Sequence, residues 1–172
     1  MLNKPAGVVS ASNDTRQRTV LDLLPGAFCR PGLFPVGRLD KDTEGLLIIT
    51  DDGPFAHDLL APRKHVVKRY FAELDSAADD EDAGAFEKGV TLETGEICLP
   101  AKLELYGSGA YISITEGKYH QIKRMFEARG KHVTYLKRLS MGALRLDERL
   151  DPGQCRELDN EELLLLRRKA DE

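Results

Sequence analysis

The segment Gly37-Arg38-Leu39-Asp40-Lys41-Asp42-Thr43-Glu44-Gly45-Leu46 sets Asp40 in a polar loop bounded by glycines and followed by an apolar run. An ionised carboxylate held there can act as a nucleophile or take a proton. In such a loop an aspartate more often only shapes the turn. Asp42, Asp51 and Asp52 follow closely and could be taken for a carboxylate cluster holding a divalent ion, yet turn and capping roles account for all three. The histidines His57, His65, His120 and His132 lack the paired spacing of a metal site, and Cys29, Cys98 and Cys155 are scattered and odd in number. Neither a metal nor a redox centre is expected.

The chain has 172 residues, 41% hydrophobic and 31% charged, with a net charge of -4. That composition suits one globular unit spanning residues 1–172. Its apolar runs fall far short of the roughly 20 residues of a membrane-spanning helix, and no signal segment opens it, so a cytoplasmic protein without a membrane partner is expected. The net acidity hides a segregation of charge. Residues 63–71 carry Arg63, Lys64, Lys68 and Arg69 with no acid, whereas residues 73–87 carry seven acids and no base. Residues 116–138 carry Lys118, Lys123, Arg124, Arg129, Lys131, Lys137 and Arg138 against only Glu116 and Glu127. A charge run alone usually marks a solvated face; two basic stretches in an acidic chain are also what a polyanion needs for docking.

Positioning these groups falls to short elements. Residues 1–3 form a strand ending in a Lys4-Pro5-Ala6-Gly7 turn, and Thr19 caps a short helix that Pro25-Gly26 stops. Residues 46–50 are nearly continuously apolar, as in a strand buried on both faces. Pro54 opens a helix carrying Phe55, Leu59 and Leu60. Residues 66–74 make a strand bearing Tyr70, and residues 79–89 an acidic helix stopped by Gly89. Strands at 90–92, 96–99, 102–106 and 111–115 follow. Residues 121–129 place Ile122, Met125 and Phe126 on one side of a helix, residues 132–137 form another strand, and Asp159-x-x-Glu162 is a capping box before a last helix with a basic end. Strands interleaved with helices give an α+β fold with a mixed, largely antiparallel sheet flanked by helices.

The Gly37 to Leu46 segment resembles the motif of the RsuA-type branch of the RNA pseudouridine synthases. Met1-Leu2-Asn3-Lys4-Pro5 with Gly7, Lys68-Arg69-Tyr70, and Glu116-Gly117-Lys118-Tyr119-His120-Gln121-Ile122-Lys123-Arg124-Met125-Phe126 match the same branch in the same order. The resemblance implies a sheet with a central active-site cleft and an isomerisation in which a uridine is detached at N1, turned and rejoined to ribose through C5, without cofactor or metal. It implies that Asp40 is the nucleophile, that Tyr70 stacks on the base and that Lys123 pairs with the nucleophile. The typical member of the branch carries an S4-type RNA-binding domain ahead of the first motif; none is read here, and either a truncated form or a branch without that domain is expected. The segment around His120 resembles the small-subunit enzymes most closely, so a uridine in 16S rRNA, free or in a small-subunit assembly intermediate, is the expected target. A 23S rRNA enzyme of the same superfamily and a non-catalytic rRNA-binding assembly factor are the alternatives.

The chemistry asks for the same set. A carboxylate can attack ribose C1′ or base C6, or take a ribose proton, and a neighbouring cation, Lys123 or Arg38, must offset its desolvation. A base removed from its stack needs an aromatic face, which Tyr70 offers, although a tyrosine on a strand is more often core packing. Arg38, Lys68, Arg69, Lys118, His120, Gln121 and Arg124 are the expected RNA-binding residues of a monomeric enzyme.

Overall fold

Leu46 and Leu47 are neighbours in sequence and fully buried, yet they belong to different cores. They lie on one strand of the protein's computed structural model, which describes residues 1–167, and successive side chains of a strand face opposite sides of the sheet. The basic end expected for the last helix, Arg167-Arg168-Lys169, lies outside the described side chains.

The described strands are β1 (Leu2–Lys4), β2 (Phe34–Pro35), β3 (Glu44–Leu47), β4 (Ile49–Thr50), β5 (Lys68–Leu74), β6 (Lys102–Tyr106), β7 (Gly109–Ile114), β8 (Val133–Met141) and β9 (Leu144–Arg145). The helices are α1 (Gly53–Leu60), α2 (Asp80–Lys88), α3 (Gln121–Glu127) and α4 (Asn160–Arg167). The main sheet runs β1-β3-β8-β5-β7-β6, with β9 beside β8. Only the β3/β8 pairing is parallel, so the sheet is mixed and largely antiparallel. Among the described residues no helix is long and apolar enough to cross a membrane.

One core joins Leu47, Tyr70, Ala72, Ile112 and Leu136 of the sheet to Phe86 of α2 and Ile122, Met125 and Phe126 of α3. The other joins Met1, Leu46, Ile48 and Met141 to Ala56 and Leu59 of α1 and Leu166 of α4. Several sequence expectations need correction. The apolar run 46–50 is two strands, because the Ile48 carbonyl turns aside to accept from Val36 N–H at 2.8 Å. Thr19 does not cap a helix; its N–H and hydroxyl donate to Asp22, and the segment forms a single tight turn at Leu21–Leu23. The expected strands at 90–92 and 96–99 are reduced to an isolated bridge between Thr91 and Ile97. The strand expected at 132–137 continues to Met141.

The acidic α2 is more than a solvated face. Asp79 and Asp82 form a capping box, and the fully buried Asp82 carboxylate also accepts from Arg129 at 2.9 Å and Lys131 at 2.7 Å just beyond α3. Burial alone would raise its pKa, but Lys131, Arg129 and the Asp79 N–H hold it below the ordinary carboxylate value. A depressed pKa means stability that is present near neutral pH and is lost as acid titrates the group. Asp82→Ala should lower the unfolding free energy by about 2 to 4 kcal/mol, from one cap and two charge-assisted bonds, with a lower urea midpoint and an unchanged m-value.

Candidate active site

The loop of Asp40 is clamped through its backbone. Lys4, fully buried at the end of β1, donates from Nζ to the carbonyls of Pro5 at 2.9 Å, Lys41 at 3.2 Å and Thr43 at 2.8 Å. The Ser10 hydroxyl donates to the Leu39 carbonyl at 2.9 Å and accepts from the Leu39 N–H at 3.1 Å. Gly7 N–H reaches the Lys41 carbonyl at 2.8 Å, and Thr43 N–H closes the turn onto the Asp40 carbonyl at 3.1 Å. Burial lowers the Lys4 pKa to about 8, while Asp42, Asp40 and Glu44 pull it upward. At the end of the loop, a Cβ on Gly45 would collide with the Arg138 carbonyl where β3 lies beside β8, so the backbones approach there only because the residue is glycine.

Facing the loop is the start of α3. Lys123 Nζ lies 3.1 Å from Asp40 Oδ2 and 2.6 Å from Asp42 Oδ1, and His120 Nε2 lies 3.5 Å from Asp40 Oδ1. The Lys123 side chain is only 18% exposed and that of Asp40 25%. Burial opposes the charge on Lys123, but hydrogen bonds to Asp42 and Asp40 overcome it and raise its pKa above the ordinary lysine value. Burial likewise opposes the charge on Asp42, and Lys123 reverses the balance, lowering that pKa. Asp42 is therefore the second anion of an ion triad rather than a turn former. It is separate from Asp51, which pairs with Arg30 at 2.6 Å, and from Asp52, which caps α1 by accepting from Phe55 N–H at 2.9 Å.

Tyr70 completes the site from the sheet. It is buried on β5, with its hydroxyl 3.5 Å from Arg138 Nη1. Asp40, Tyr70, Lys123, His120, Ile114 and Leu136 line one small cavity, with Arg38 and Lys118 also on its walls. A larger hollow, about 310 Å³, lies elsewhere between residues 24–33, 48–50 and 155–163. Its two cations are already paired, Arg30 with Asp51 and Arg156 with Asp147 and Glu162, whereas the smaller cavity gathers Asp40, Lys123 and His120.

Residues 1–128 match the family described as RNA pseudouridylate synthase. The chain belongs to that family. It is similar to the uncharacterized RNA pseudouridine synthase YtzG of Bacillus subtilis, with 53% identity over 171 residues, 96% of this chain and 72% of the relative. It is also similar to ribosomal small subunit pseudouridine synthase A of Salmonella typhimurium, with 44% identity over 95% of this chain and 71% of that protein. A crystal structure of a pseudouridylate synthase superposes with a TM-score of 0.88 at 36% identity, covering 96% of this chain and 71% of that one. The RsuA-type resemblance and the α+β fold therefore stand, and the enzyme is an RNA pseudouridine synthase.

Within this pseudouridine synthase, the residues expected to hold RNA sort by position. Arg38 is exposed on the cavity rim, with no side-chain partner among the described residues. His120 and Lys118 are on the wall, and Lys118 also reaches the Ile97 carbonyl at 2.7 Å. Arg124 holds Thr94 Oγ1 at 2.9 Å and the Tyr119 carbonyl at 3.3 Å. Three positions differ from the expectation of an open phosphate rim. Arg69 alternates with Tyr70 and so faces the opposite side of the sheet, paired with Glu104 at 2.7 Å and lying over the Tyr111 ring. Lys68 is largely buried, within 3.4 Å of the carbonyls of Val66 and Glu116, and burial together with Arg138 lowers its pKa to about 8. Gln121 is buried and braces its own loop, accepting from Lys118 N–H at 2.9 Å and donating to Glu116 at 2.6 Å.

Sequence reasoning overlooked Arg138 and the bracing role of Lys4. Arg138 is buried against Tyr70 and donates from Nε to the Leu46 carbonyl at 2.7 Å, while its Nη2 has no hydrogen-bond partner among the described residues. The Leu136-x-Arg138-x-Ser140 alternation could have placed it on the same strand face as Leu136.

Proposed function

We propose that the enzyme converts one uridine of 16S rRNA to pseudouridine, with Asp40 as nucleophile, Tyr70 stacking on the flipped base and Lys123 pairing with Asp40. The observation that carries the mechanism is the meeting of Asp40, Lys123 and Tyr70 at one cavity from three distant parts of the chain. An ionised Asp40 can attack ribose C1′ or base C6, or take a ribose proton. The N1–C1′ bond breaks, a C5–C1′ bond forms, one proton leaves C5 and one is gained at N1, so the isomerisation needs no oxidant, reductant or transferred group. Lys123 offsets the desolvation of Asp40 in the cavity. Arg38 supplies an exposed cation for the phosphates of the strand, and Lys118 and Arg124, which share Glu96 at 3.2 and 3.8 Å, stand beside it. The small-subunit target is supported by the Salmonella relative, a ribosomal small subunit pseudouridine synthase.

The test is a map of pseudouridines in rRNA from a strain lacking this gene. A single site missing from 16S rRNA, restored by the gene in trans, is expected. A full 16S complement, or a site missing only from 23S rRNA, would overturn the target.

A further inference from the structure

Tyr119 lies just outside the cavity, although its sequence neighbours Lys118 and His120 both line it. The ring is 73% exposed. One face lies flat on the His120 imidazole, with centroids 3.8 Å apart and planes 18° from parallel, and no other described ring packs against it. His120 in turn touches Asp40, so the stack extends from the mouth of the cavity down to the carboxylate.

The stack is held rigidly. His120 has a left-handed backbone, φ 48°, which a residue with a Cβ adopts only when its surroundings impose it. Those surroundings are the paired bonds between Lys118 and Gln121, the Gln121 to Glu116 bond, and Arg124, which grips the Tyr119 carbonyl and Thr94. A rigid, exposed aromatic face beside Lys118 and Arg124 has the features by which proteins hold a single-stranded base. Flipping a uridine into the cavity strips its neighbour of a stacking partner, and a ring at the mouth replaces it.

We propose that Tyr119, seated on His120, is the stacking platform for the base adjacent to the target uridine. This rests on the reading of the cavity as the uridine site. The platform accepts any base, because every base offers a π-face, so it sets strand path and affinity rather than sequence.

The test uses the whole enzyme and a short rRNA fragment containing the mapped uridine, either intact or with an abasic nucleotide on its 5′ or 3′ side. Tyr119→Ala should lower kcat/KM on intact RNA by about 5- to 150-fold, the range corresponding to one base stack. Tyr119→Phe and Tyr119→Trp should retain most of it. One of the two abasic RNAs should slow the wild type to a similar degree and show no further loss with Tyr119→Ala. Equal losses for Tyr119→Ala on intact and both abasic RNAs would mean that the ring only steadies His120, and would overturn the platform, as would an unaffected variant. A wild type inactive on every rRNA fragment would remove the cavity reading and the platform together, whereas an active wild type with an insensitive variant removes the platform alone.

Discussion

Asp40→Asn should leave a folded protein whose rate of pseudouridine formation is about 10⁴-fold or more below wild type. The size follows from removing the proposed nucleophile, which no other carboxylate lining the cavity replaces. Asn keeps the shape of Asp, and the loop is held by backbone bonds from Lys4, Ser10 and Gly7 rather than by the carboxylate. Lys123 also keeps an anion, since Asp42 lies closer to it than Asp40 does. The melting temperature should therefore change little and the affinity for the rRNA fragment should stay within a few-fold. Single-turnover assays of pseudouridine formation, beside binding measured on the same preparation, check both halves. Turnover surviving at a few per cent of wild type would remove Asp40 from the chemistry.

What the sequence made legible about this site was what is local. Asp40 stands out because its loop is bounded by glycines, and the helix caps at Asp52 and Asp159 are readable because a cap and its partner lie three residues apart. The partnership of Asp40 with Lys123 is not local. No spacing rule joins two residues that far apart, and only the resemblance to a family put them in one site. Tertiary packing also decides which basic residues remain open. Lys68 and Arg69 counted equally in the charge run, yet strand alternation sends one toward the site and the other to the far face with Glu104. Gln121 looked like an open polar group and is buried because α3 packs that edge against the core.

The strand boundaries failed for a related reason. Lys137-Arg138 reads as the charged end of a strand, but the strand continues because β5 pairs with it as far as Met141 and the Arg138 guanidinium finds the Leu46 carbonyl and the Tyr70 hydroxyl. A buried cation satisfied by a distant carbonyl leaves no trace in hydrophobic periodicity. The same holds for Lys4, whose three acceptors lie in a turn and a loop that only the folded sheet brings together.

Lys123→Met should reduce kcat by about 10²- to 10³-fold, less than the loss of Asp40, because in the proposed mechanism it removes a cation that acts through the carboxylate rather than the reacting group itself. With Lys123 replaced, Asp40 in the cavity wall and the exposed Asp42 beside it lose their shared counter-charge, and the two carboxylates are left to repel each other. Lys123→Arg, which restores the charge, should return the rate toward wild type. The companion Asp42→Asn in the Lys123→Met background should recover part of the loss, since it removes the second negative charge from beside Asp40. A mere packing role predicts something different: lost stability, no recovery in Lys123→Arg and no rescue by Asp42→Asn. Single-turnover rates and melting temperatures across these four proteins decide between them.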